Sequence, residues 1–214
     1  MFGFIASDPK ASFENRSTRL YVTIQGILGG LIGMIHGISE ALQGDHPTGG
    51  VWLVSVGAFT LIYNYLVTGI AAIFISLCLI AWTLGWIHTR YGAIIFLLIA
   101  VLLFLVGGGV AQVIFFLIAW AVATQIRRPL DGWRSILSES ERRNFAKNWR
   151  WYFVAGYFFL AVGILLWLFL IPPWVAYKDP VAQYICWASL LIGLFFQLLT
   201  IVAGFARDIL LRKE

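Results

Sequence analysis

Six apolar runs, 20–38, 63–87, 92–107, 109–126, 151–171 and 181–206, constrain this chain more than any other feature of its sequence. A helix needs about 20 mostly apolar residues to cross about 30 Å of hydrocarbon, and most of these runs approach or exceed that length. They are continuous rather than alternating, so a membrane β-barrel is excluded. Helices, which satisfy their own backbone groups in lipid, are the expected form. Composition agrees: only 12% of the 214 residues are charged, against about a quarter in a soluble domain. The expected class is an all-α integral membrane protein, a six-transmembrane-helix bundle.

Two places test the division into spans. Residues 51–87 are apolar throughout; as one helix they would reach about 55 Å, far beyond the membrane core. The stretch Val51-Trp52-Leu53-Val54-Ser55-Val56-Gly57 and its continuation to residue 62 are therefore read as lying in the outer interface or re-entering. The span proper starts at Tyr63-Asn64. Gly107-Gly108-Gly109 is read as a tight outer hairpin between two short spans, because each glycine costs about 1 kcal/mol in a helix interior and suits a turn.

Cytoplasmic loops collect Lys and Arg. With N- and C-termini both inside, fourteen of the 15 basic residues fall on the inner side and only Lys178 on the outer. The expected organisation is a cytoplasmic N-terminal segment (1–19), helices one to four (20–126) with an outer loop (39–62), a basic cytoplasmic segment (127–150), helices five and six (151–206), and a cytoplasmic tail (207–214). The run from Leu20 is span-length and reads as an uncleaved first helix. A multi-pass protein of a prokaryotic plasma membrane is the expected setting.

Gly26, Gly29, Gly30, Gly33 and Gly37 form overlapping small-xxx-small patterns in the first span. Small residues four apart let helix backbones approach closely in lipid. That face predicts either a homo-oligomer or hetero-subunit interface, or a first helix at the centre of its own bundle. The second is favoured.

Polar residues in the spans are few. His36 and Glu40 are four apart and Gln43 is three further on, so they share one helical face. With His46 they make a candidate metal set of His36, Glu40 and His46, since zinc takes four N, O or S ligands. His36 and Glu40 are also the candidate acid/base pair of an enzyme. Asn64 and Gln112 are expected to join His36, Glu40 and Gln43 in an outer polar pocket. The plainer alternative is a helix end whose polar residues meet headgroups. A haem sandwich, a retinal Schiff base, a G-x-S-x-G or H-E-x-x-H enzyme and a Walker loop are all excluded by the residues present.

The segment from Arg127 to Trp151 is the one long polar stretch. Trp133, Ile136, Leu137, Phe145 and Trp149 fall near one stripe, predicting a cytoplasmic amphipathic helix lying on the inner leaflet. Arg127, Arg128, Arg134, Arg142, Arg143, Lys147 and Arg150 outnumber Asp131, Glu139 and Glu141 and are expected to meet anionic lipid. Topology already accounts for this charge, so nucleic acid is not expected as a partner. The sequence does not name a cofactor. Three functions fit: a non-enzymatic membrane component (subunit, scaffold or lipid-binding protein), a small channel or transporter with its mouth at His36/Glu40, or a membrane enzyme on a lipophilic substrate. The first is favoured.

Overall fold

A computed structural model describes residues 14–53, 57–170 and 180–212. The expected outer position of Lys178, and Lys10 and Lys213, lie outside the described residues. Seven helices and one two-stranded hairpin form two compact units, divided after Pro129.

In the first unit, α1 (Arg16–Ala41) is the central helix. It runs antiparallel to α2 (Tyr65–Gly85), and the glycines are the reason for their closeness. A Cβ on Gly26 would strike Thr83, one on Gly33 would stand 2.5 Å from the Ser76 hydroxyl, and one on Gly37 would stand 2.7 Å from the Gly69 carbonyl. The opposing face of α2 is itself small or polar: Thr68, Gly69, Ala72, Ser76 and Thr83 are buried, with Leu79 among them. Gly29 meets Phe116, and Phe116 in turn packs edge-on to Phe96, centroids 6.1 Å apart. The glycine face is thus filled by this chain's own helices.

Among the described residues, four helices are long and apolar enough to cross a membrane: α1, α2, α6 (Glu139–Leu170) and α7 (Pro180–Leu211). The two runs expected as the third and fourth spans form shorter helices, α3 (Gly92–Leu105) and α4 (Val113–Ala123). Turn residues at both ends extend their reach. The Asn15 backbone N–H donates to Ile126 (2.8 Å), and its side-chain amide donates to the carbonyls of Gln125 (2.6 Å) and Arg128 (2.9 Å). This pins the end of α4 to the start of α1. The other end of the α3–α4 pair is the Gly107–Gly109 turn, where Gly109 lies against His36. The stretch 109–126 therefore runs alongside α1 from His36 back to Asn15, about 30 Å at 1.5 Å per residue. Gly107 (φ +97°) and Gly109 (φ +95°) take the left-handed conformation that lets the chain reverse there.

The described residues of 51–62 are not helical. β1 (Trp52–Leu53) pairs antiparallel with β2 (Ala58–Phe59). This hairpin is stitched to the glycine turn: Gly107 N–H donates to Phe59 (2.9 Å), Leu61 to Leu105 (2.9 Å) and Val110 to Gly57 (3.0 Å). Backbone groups that no helix satisfies are thereby paired. Leu53 and Ala58 face inward and are buried.

In the second unit, α6 and α7 pack antiparallel. Gly163 faces Leu190, Gly193 faces Leu160, and the Cys186 thiol donates to the Gly163 carbonyl (3.3 Å). Here the sequence expectation needs correcting. The basic segment is not a separate helix lying on a leaflet: a short α5 (Asp131–Ile136) is followed by a break at Leu137, and the rest opens α6. Ser138 and Glu141 form a capping box, with the Ser138 N–H donating to the Glu141 carboxylate at 2.8 Å and the Glu141 N–H to the Ser138 hydroxyl at 3.3 Å. Between Glu139 and Ala155 no glycine or proline interrupts the helix thus started. So Arg142, Arg143, Lys147 and Arg150 ride on the first turns of the same rod that carries the apolar run. The guanidinium of Arg207, near the end of α7, lies over the Trp149 ring (5.1 Å), and Trp133 of α5 meets Phe205 (5.1 Å).

Candidate functional site

The residues singled out at the end of α1 do not stay together. Gln43 turns back to the Ser39 carbonyl (3.3 Å). Asn64 caps α2, accepting from Val67 N–H (3.0 Å), and its amide donates to Asp45 (2.6 Å). This pair anchors the loop between α1 and α2 rather than lining a pocket. His46 is exposed, and its carbonyl accepts from Tyr65 (3.0 Å). Among the described residues no group of three or more His, Cys, Asp and Glu side chains is arranged to hold a metal ion. The set His36, Glu40, His46 is therefore not assembled: one histidine is on the helix and the other is on the loop surface.

Glu40 is the exception. The plainer reading of the helix end would leave it among headgroups, yet it is fully buried, at 0% exposure. The reason lies above it. The Gly107 turn folds over the end of α1 so closely that a Cβ at Gly107 would lie 2.4 Å or less from both carboxylate oxygens. Only glycine leaves room for the carboxyl. Among the described residues neither Glu40 oxygen has a donor at hydrogen-bonding geometry. The Thr68 hydroxyl stands nearby, but it donates to the Val106 carbonyl (2.7 Å) and shares a 2.6 Å contact with the Thr60 hydroxyl.

Gln112, 5% exposed, lies on the far side of the same turn. Its amide nitrogen donates to the Gly108 carbonyl, while its Oε1 is buried without a donor. His36 is half-buried beside it, with its Nε2 2.7 Å from where a Gly109 Cβ would sit. The turn Gly107–Gly109 is thus bordered by three buried acceptor oxygens with no donor at hydrogen-bonding geometry among the described residues: both of Glu40 and one of Gln112. Of the expected pocket, Glu40, His36 and Gln112 border this turn; Gln43 and Asn64 do not. Thr60, Thr68 and the glycines themselves were not foreseen as part of it. Thr68 was legible as the outermost member of the small polar stripe on α2. Thr60 carried no local signal, since only the hairpin brings it there.

Comparison with protein-family models, with curated proteins and with solved structures gave no significant match. What the structure defines is a class: a helical protein with, among the described residues, four helices long and apolar enough to span a membrane.

Proposed function

We propose that this is a multi-pass, non-enzymatic membrane protein of the channel or transporter kind, binding a cation at Glu40 near its outer end. One observation carries the reading: a fully buried carboxyl with two unsatisfied oxygens under a glycine turn. Ionisable groups inside a membrane protein are costly and mark pathways and binding sites, and an unpaired buried polar group costs about 1–3 kcal/mol or more. A purely structural helix end would place that carboxyl in headgroups or pair it. The scaffold or subunit reading loses ground in turn, because the glycine face that favoured it is occupied internally.

The proposed topology has six passes with the basic ends inside. The matching reach of the 109–126 stretch and α1 supports it, as does the basic start of α6. At about 48 Å, α6 exceeds the hydrocarbon core by about 18 Å, which is the length of its polar first turns, 139–150. Arg127, Arg128, Arg134, Arg142, Arg143, Lys147 and Arg150 would then meet anionic lipid at the inner surface. Single cysteines at His46 and Arg90 test the first unit's sidedness with a membrane-impermeant maleimide on intact cells. His46→Cys should label and Arg90→Cys should not; labelling of both or neither rejects the six-pass arrangement.

The functional test is flux. Proteoliposomes should pass sodium, rubidium (standing for potassium) or protons, read by tracer uptake and an entrapped pH dye. The leading rate should fall at least tenfold in Glu40→Gln. Equal rates in wild type, Glu40→Gln and empty liposomes for all three ions would reject the transport reading.

A further inference from the structure

We infer that the site beneath the Gly107–Gly109 turn takes a monovalent alkali cation, held by the Glu40 carboxylate with the Gln112 side-chain carbonyl oxygen as a second, neutral ligand. This rests on the reading that Glu40 binds a cation and goes on to name which.

Three features choose the class. The unsatisfied atoms are all acceptors: Glu40 Oε1 and Oε2 and Gln112 Oε1. A site short only of positive partners recruits a cation, and hard oxygen donors select hard ions over zinc, copper or iron. The second feature is charge. Glu40 is the one acidic residue among those bordering the turn; the others, His36, Gln112, Thr68 and Thr60, bring no second carboxylate. Asp45 is committed to Asn64 in the exposed loop. A divalent ion beside one carboxylate would leave a net positive charge buried, whereas a monovalent ion neutralises the site.

The third feature is the number of acceptors. A proton on one carboxyl oxygen converts it to a donor but serves only one further acceptor. An alkali ion can be shared among several oxygens at once. Gly107 and Gly109 carry no side chain that would block an ion's approach, and the Gly108 carbonyl is held in place by the Gln112 amide.

The test is thermal unfolding of the full chain in detergent at fixed pH, titrated with NaCl, KCl or LiCl against choline chloride at equal ionic strength. MgCl₂, CaCl₂ and a pH series complete the set. Wild type should gain about 5 °C in Tm with one or more alkali ions at saturation, with a hyperbolic dependence. Glu40→Gln should lose the gain, and Gln112→Leu, which keeps the carboxylate, should raise the apparent Kd at least tenfold. If Glu40→Gln does not fold, the wild-type titration and Gln112→Leu decide alone.

A response confined to magnesium or calcium overturns the charge argument. If alkali ions act no differently from choline but Glu40→Gln changes the pH dependence of Tm, the bound cation is a proton. The alkali assignment then fails while the Glu40 reading stands. If neither salt nor pH distinguishes wild type from Glu40→Gln, both fail.

Discussion

Gly107→Ala should cost the unit of residues 14–129 about 3 kcal/mol or more. Two penalties add. At φ +97° a residue with a Cβ adopts the left-handed conformation at a cost of about 1–2 kcal/mol. The Cβ also has nowhere to go, since it would overlap the buried Glu40 carboxylate. Gly49→Ala separates the two: Gly49 also has positive φ (+68°), but nothing lies within 4 Å of its Cβ position. That variant should lose only the conformational part. Denaturant unfolding in detergent reads both. Equal losses at the two positions would mean that the turn does not press on Glu40.

Gly37→Leu should have a comparable or larger effect, about 3–5 kcal/mol, by prying α1 from α2. At this crossing each helix presents a glycine to the other. A Gly37 Cβ would stand 2.7 Å from the Gly69 carbonyl, and a Gly69 Cβ 2.5 Å from the Ala41 nitrogen. These obstacles are backbone atoms, which cannot rotate aside, so the helices must separate and uncover buried Ala72 and Ser76. Gly85, the last residue of α2, has nothing within 4 Å of its Cβ position. Gly85→Ala should be neutral or stabilising by up to about 1 kcal/mol, as for any glycine removed from an open helix position. If Gly37→Leu retained wild-type stability, the α1–α2 packing described above would be wrong.

Helix content and the reversal at Gly107–Gly109 were legible in the sequence because both are local. Continuous apolar runs leave helices as the form that satisfies its own backbone in lipid, and three successive glycines end a helix wherever they fall. The favoured role of the glycine face, contact within the chain's own bundle, was legible for a related reason: small residues four apart on a helix mean close approach to something. Which helix approached was not written in those five residues. The answer lay partly in the stripe of Thr68, Ala72, Ser76 and Thr83 on α2.

The basic segment misled because an apolar stripe looks the same on a helix lying flat and on the first turns of a longer one. The Ser138–Glu141 capping box and the lack of a breaker before residue 156 decided it. The lengths of α3 and α4 were also beyond the apolar pattern. Residues such as Val106, Val110 and Thr124 are apolar or mild enough to read as span, yet they are drawn into turns by the hairpin and by Asn15.

By itself the sequence determined a helical chain made for an apolar environment, with its basic residues clustered between and beside the apolar runs. Composition and continuous hydrophobicity act on every segment independently of the others. Only the tertiary structure decided the fate of Glu40. Four residues from His36 on one face, it could equally have met solvent, headgroups or a metal. Its burial depends on a turn 67 positions later in the chain, anchored by a hairpin whose strands are two residues each. Burial of a single carboxyl is a property of what folds over it, and no stretch of sequence around residue 40 encodes that cover.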